Sequence, residues 1–211
     1  MEKQGNQAYQ IKWLTQQKVE RLLKEGPWSR AMLAKLRRGI GKQPGELPEL
    51  FEILFMDMPE ELYGQGDEPS YAEWSIYTSL TLFALHQQGK NRPMSVGGKM
   101  EGKNIGNSFG AAIGTLVRQD REREPALKRR FDAVLTANEF TEFAHHARSV
   151  IQLLKAGDIA MDYPRFAVDL YWYQFEDIRN RIRLRWGEDY YRVAHLSTEA
   201  ENAEKENGGV S

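Results

Sequence analysis

The stretch YAEWSIYTSLTLFALHQ, residues 71–87, decides the class of fold. Its apolar and aromatic positions recur at helical spacing and lie on most sides of the helix; they include Trp74, Tyr77, Leu80, Leu82 and Leu85. A helix that is apolar on most sides has to be covered by other elements. The stretch therefore predicts a largely buried helix against which other helices pack.

Proline and glycine divide the rest of the chain into segments of helical length. Pro27 suits the first turn of the second segment, and Gly39 ends that segment. Further along, Asn138 is predicted to be an N-cap, Gly157 a C-terminal stop and Pro164 a first-turn proline. The predicted helices are 8–25, 28–38, 48–55, 71–87, 107–119, 125–136, 138–156, 164–174 and 177–194.

The domain organisation follows from these segments. No strand alternation and no internal repeat is visible, so the sequence predicts an all-α protein. Residues 89–106 hold five glycines and three lysines, which predicts a loop that joins two small helical bundles, residues 1–105 and 106–195. Residues 196–211 are polar and lack an apolar stripe, which predicts a disordered acidic tail.

Composition excludes several classes of protein. The 211 residues include no cysteine, so disulfides, thiolate nucleophiles and cysteine-ligated metals are excluded. The sequence contains no run of about 18 apolar residues, so it predicts no membrane span, and the N-terminus lacks the apolar core of a secretory signal. We therefore expect a soluble cytoplasmic protein without a membrane partner.

The net charge of −1 hides a segregated pattern. Residues 43–89 contain nine acidic side chains and neither lysine nor arginine, and residues 196–211 contain four acidic side chains and one lysine. The remainder holds 28 basic and 17 acidic side chains, an excess of +11. A basic surface can therefore coexist with an acidic one on the same molecule.

Two motifs resemble enzyme sites but lack the necessary context. Residues 97–104 fit the spacing of a phosphate-binding P-loop, but Asn104 replaces the metal-binding Ser or Thr and no strand precedes them. Glu142 and His145 have the spacing found in di-metal bundles, but no second such pair is present. We therefore expect no catalysis, no cofactor and no metal.

Glycines at positions 106, 110 and 114 recur at helical spacing. In a chain without an apolar twenty-residue segment, this spacing is typical of close helix packing. Ala111 and Ala112 favour the same interpretation.

The last predicted helix has a core stripe, Ile178, Ile182 and Trp186, flanked by arginines. Arg179 and Arg183 form one flanking row, and Arg181 and Arg185 form the other. These arginines repel one another unless an anion lies nearby or they pair with the acidic side chains of the same helix, Glu176, Asp177, Glu188 and Asp189. The sequence leaves both alternatives open.

The order of motifs from about residue 31 to 191 resembles the CasB family, the small subunit of the type I-E CRISPR surveillance complex Cascade. No single motif carries this resemblance; the ordered set at matching intervals does. The set consists of Leu36-Arg37-Arg38-Gly39 with Pro44, Ser108-Phe109-Gly110 with Leu116, Lys128-Arg129-Arg130-Phe131, Ile151-Gln152-Leu153-Leu154, residues 161–170, Arg185-Trp186 and Tyr190-Tyr191.

The resemblance implies a non-enzymatic all-α protein that occurs as two copies in the complex. Its implied partners are the other Cascade subunits, the guide crRNA, and the target and non-target DNA strands. The implied nucleic-acid-binding residues are Arg37, Arg38, Lys99, Lys103, Lys128, Arg129, Arg130, Arg148, Arg179 and Arg183. A helical adaptor that binds other proteins through segregated acidic and basic faces remains the alternative.

Overall fold

A computed structural model describes residues 2–97 and 107–195. These residues form nine α-helices, and the prediction of an all-α fold is confirmed. The helices are α1 Glu2–Leu23, α2 Pro27–Arg38, α3 Phe51–Phe55, α4 Tyr71–Gln87, α5 Phe109–Gln119, α6 Glu124–Thr136, α7 Phe140–Ala156, α8 Tyr163–Tyr173 and α9 Glu176–Ala194. Three single-turn 3-10 helices are Pro48–Leu50, Glu60–Leu62 and Arg121–Arg123.

The helix α4 lies at the centre of the structure. Ser70 caps its first turn: the Ser70 hydroxyl accepts from the backbone N–H of Glu73, and the Glu73 carboxylate accepts from the N–H of Ser70. Every residue from Ser75 to His86 is buried. The helices α1, α2, α7 and α8 pack against α4, and the short helix α3 adds a smaller contact, as the prediction of a largely buried helix requires.

Two predicted helix starts were wrong, and long-range contacts explain both. The helix α1 begins at Glu2 instead of residue 8, and the Gln7 side chain in its added turns donates to the Glu61 carbonyl and accepts from the Tyr171 hydroxyl. Asn138 is not the N-cap of α7, because Glu139 occupies that position and the Asn138 side chain accepts from Arg183.

The helices before and after the predicted domain boundary share one apolar core. α8 packs against both α1 and α4, and its Tyr163 ring meets Phe83 of α4 edge to face. The division into two separate bundles at residues 105 and 106 stays a prediction. The predicted tail, 196–211, and the second half of the predicted loop, 98–106, lie outside the described residues.

The part of the loop that the structure describes is tied to the body of the protein. Lys90 and Arg92 form ion pairs with Asp158, and Ser95 forms an isolated parallel bridge with Met161. Across residues 2–97 and 107–195, no helix combines the length and apolar character needed to cross a bilayer.

The helices α5 and α9 approach so closely that two glycines are required. A Cβ atom at Gly110 would lie 2.0 Å from the carbonyl oxygen of Trp186, and one at Gly114 would lie 2.6 Å from that of Tyr190. The close packing predicted from the glycine spacing is confirmed for these two positions, and the third glycine, Gly106, lies outside the described residues. Ile182 and Trp186 of the predicted core stripe are buried there, and Ile178 packs against the core.

We predict that Gly110→Ala lowers the free energy of unfolding by at least about 2 kcal/mol, since backbone has to move to admit the methyl group. Gly187→Ala in α9 is the control, because open space surrounds Gly187 and alanine favours a helix interior; it should raise that free energy by about 0.5–1 kcal/mol. Urea unfolding followed by circular dichroism measures both. A Gly110→Ala variant as stable as the unmodified protein would contradict the packing described here.

Candidate nucleic-acid interface

Three cations from α2 and α7 lie along the C-terminal half of α4. We call Arg37, Arg148 and Lys155 the α7 cation cluster. Arg37 donates to the carbonyl of Ala84 on α4 at 3.5 Å, and Lys155 donates to Gln88 at 2.9 Å. Arg148 lies two helical turns before Lys155 on the same face of α7. No acidic side chain among the described residues forms an ion pair with any of the three.

The electrostatics of this cluster favour an anion. Burial lowers the pKa of Lys155, and the charges of Arg37 and Lys90 lower it further. Burial also lowers the pKa of Arg37. Positive charges that are partly desolvated and repel one another are stabilised when a phosphate approaches. Arg37 and Arg148 were predicted site residues; Lys155 was missed, although it lies seven residues after Arg148.

A second basic surface lies in a groove between α6 and α7. Arg129 and Arg130 of α6 line it together with His146 and Ser149 of α7. Both arginines are exposed, and the ion pairs of the described residues include neither. The neighbouring Lys128 differs, because it donates to Asp132 at 2.7 Å and this hydrogen bond raises its pKa. The three adjacent bases are therefore not equally available to a phosphate.

The acidic segment, residues 43–89, forms ion pairs with several cations of neighbouring elements. Arg38 forms an ion pair with Glu49 at 2.6 Å, Arg21 with Glu52 and Lys42 with Glu46. The predicted site residue Arg38 thus has an acidic partner, while its neighbour Arg37 does not. Acidic and basic side chains that are separated along the sequence are therefore partly paired on the folded surface.

The first row of α9 arginines, Arg179 and Arg183, is held by other parts of the fold. Arg183 donates to the Ala137 carbonyl at 2.6 Å and to the Asn138 side chain, and Arg179 donates to the Tyr173 carbonyl at 3.0 Å. Both guanidinium groups also lie over the ring of Tyr173. For Arg183, a backbone carbonyl and an amide oxygen take the place of the acids of its own helix, which were one of the two alternatives that the sequence left open.

Of the second row of α9 arginines, Arg185 is also anchored outside the helix, whereas Arg181 is exposed. Arg185 forms an ion pair with Asp169 of α8, and the Trp186 indole N–H donates to the other oxygen of the same carboxylate at 2.7 Å. Asp189, which the sequence offers as a partner, instead pairs with Arg165 at 3.2 Å. Tertiary partners therefore relieve much of the repulsion that the sequence predicts within α9.

Two predicted site residues, Lys99 and Lys103, lie outside the described residues, as does most of the P-loop-like segment. Glu142 lies 3.8 Å from His146, one residue beyond the predicted partner His145. In the described part of the chain, no group of three or more histidine and acidic side chains is arranged to hold a metal.

A cleft of about 350 Å³ lies beside the α7 cation cluster. Its walls are residues 40–46 and the face of α7 that carries Thr141, Ala144, His145 and Arg148; its floor is α4, from Trp74 to Leu82. The Tyr77 hydroxyl donates to the Gly39 carbonyl at 2.9 Å and holds the first wall in place. Burial, with a smaller effect of Glu46, raises the pKa of Tyr77 to about 12, so this hydroxyl remains a donor at neutral pH.

Comparison with known families identifies the fold that carries these surfaces. The model of the family described as CRISPR-associated protein Cse2 matches residues 32–191. The chain belongs to this family. The resemblance to CasB found in the sequence is therefore confirmed.

Solved structures agree with the Cse2 assignment. CasB from Thermobifida fusca is 26% identical, with a TM-score of 0.65 over 86% of this chain and 97% of that one. CasB from M. ruber is 22% identical, with a TM-score of 0.63 over 93% of this chain and 98% of that one. A chain of a CRISPR RNA-guided surveillance complex, 15% identical, shares the fold with a TM-score of 0.68 over 92% and 99% of the two chains. No curated protein sequence matches this chain.

We predict that Arg183→Gln lowers the free energy of unfolding by about 1–3 kcal/mol, because it removes several hydrogen bonds that tie α9 to the turn before α7. The control is Arg181→Gln on the same helix, whose exposed side chain makes no such contact; it should change stability by no more than about 0.5 kcal/mol. Urea unfolding distinguishes the two. Equal stability of both variants would show that Arg183 does not anchor the helix.

Proposed function

We propose that this protein is a non-catalytic small subunit of a CRISPR RNA-guided surveillance complex (Cascade), present there in two copies. In this proposal its basic surfaces bind the phosphates of the guide RNA, the target DNA and the displaced strand. The observation that carries the proposal is the α7 cation cluster, in which three bases from two helices lie along α4 without an acidic ion-pair partner among the described residues.

The chemistry of these surfaces suits backbone recognition. In RNA-guided complexes, base pairing between guide and target reads the sequence, so an accessory subunit needs only charges that follow the phosphate backbone. The exposed Arg129 and Arg130 extend the available charge along the other side of α7. Arg38, Lys99, Lys103, Lys128, Arg179 and Arg183 complete the proposed set of contacts.

Membership of the Cse2 family supports the assignment to a surveillance complex. A solved chain of a CRISPR RNA-guided surveillance complex matches almost the whole fold, although at 15% identity it supports the fold alone. The alternative, a protein adaptor with an acidic face, is less well supported. Glu46, Glu49 and Glu52 from the acidic segment are already paired with bases of this chain.

We predict that Arg148→Gln weakens binding of the full chain to single-stranded DNA and reduces the slope of log K against log salt by about 0.7, the value for one phosphate contact on a single strand. The double variant Arg129→Gln/Arg130→Gln should reduce the slope by about 1.4. Fluorescence anisotropy at a series of salt concentrations measures both the affinity and the slope.

Lys12→Gln is the matched control, because it removes the same charge as Arg148→Gln. Lys12 is exposed on α1 and has no ion pair in the described structure. This variant should leave the slope unchanged. If Arg148→Gln and the double variant also retain the affinity and slope of the unmodified chain, these surfaces do not bind phosphate and the adaptor alternative takes the place of the proposal.

A further inference from the structure

The cleft between residues 40–46 and α7 has features that phosphate binding alone does not use. We infer that it accepts one unstacked nucleobase of the bound single strand while Arg148 holds an adjacent phosphate. The inference rests on the proposed function, and it adds a contact with the bases to the contacts with the backbone.

The lining of the cleft matches the chemistry of a nucleobase. Trp74 is half-buried in it, and Phe140 holds the indole ring edge to face with the ring centroids 5.7 Å apart. An aromatic face of this kind stacks with any base. The Thr78 hydroxyl makes no hydrogen bond with another described residue, so it can bind the polar edge of a base that stacks on Trp74.

The size and charge of the cleft favour a nucleotide of a strand over a neutral ligand. A volume of about 350 Å³ lies at the lower end of the range for small-ligand pockets. Two cations line the cleft, Lys42 and Arg148, and Lys42 is already paired with Glu46 at 3.4 Å. Arg148 is left for a phosphate, and through Lys155 and Arg37 the positive charge continues away from the cleft along α7 and α2.

The test compares two oligonucleotides about 15 nucleotides long, near the upper end of the site sizes of single-strand-binding folds. One is oligothymidylate, and the other has the same phosphates but abasic sugars. The full chain should bind oligothymidylate at least about five-fold more tightly, as expected for one stacked base. Trp74→Ala should reduce this ratio to about one and leave the affinity for the abasic strand unchanged.

A second variant leaves every side chain that contacts the base in place. Ala144→Leu adds volume on the α7 wall of the cleft and keeps a strong helix former, so it should also reduce the ratio. Its control is Ala34→Leu on the exposed face of α2, which should leave the ratio unchanged. A thermal melt of each variant shows that the fold is retained.

The outcomes separate this inference from the proposed function. If the abasic strand binds but the ratio stays the same in Ala144→Leu, no base enters the cleft and the inference is wrong. The same result combined with weaker association of other complex proteins would assign the cleft to a protein segment. If neither strand binds the unmodified chain at low salt, the proposed function itself fails.

Discussion

The burial of α4 on nearly every side is the constraint on which the candidate interface depends. From Ser75 to His86 no residue of this helix is exposed, so α2 and α7 have to pack on neighbouring sides of it. Their C-terminal turns are thereby brought to the same end of α4, where Arg37 and Lys155 influence one another electrostatically. A repulsive cluster of this kind persists because apolar packing, which is much stronger, fixes the helices that carry it.

Local signals were sufficient to predict most of the helices. Pro27, Gly39, Gly157 and Pro164 act within a single turn, and the structure has helix ends at each of them. The first turns of α1 and the cap of α7 could not be predicted in this way. They depend on partners distant in the chain, such as Glu61 for Gln7 and Arg183 for Asn138.

The candidate interface was less predictable than the fold for the same reason. The sequence identified Arg37 and Arg148 as cations, but only the structure shows that both lie along α4 and that Arg37 is close enough to Lys155 to lower its pKa. The sequence also cannot show that Arg38 is paired with Glu49, or that Arg183 donates to the Ala137 carbonyl. The availability of a cation depends on these tertiary partners.

Ultraviolet crosslinking of the assembled surveillance complex to target DNA, followed by mass spectrometry of the crosslinked peptides, tests the central claim most directly. The account predicts crosslinks in peptides from α7, residues 140–156, and from the facing wall of the cleft, residues 40–46. If neither segment is crosslinked in a complex that still contains this subunit and binds DNA, the account is contradicted.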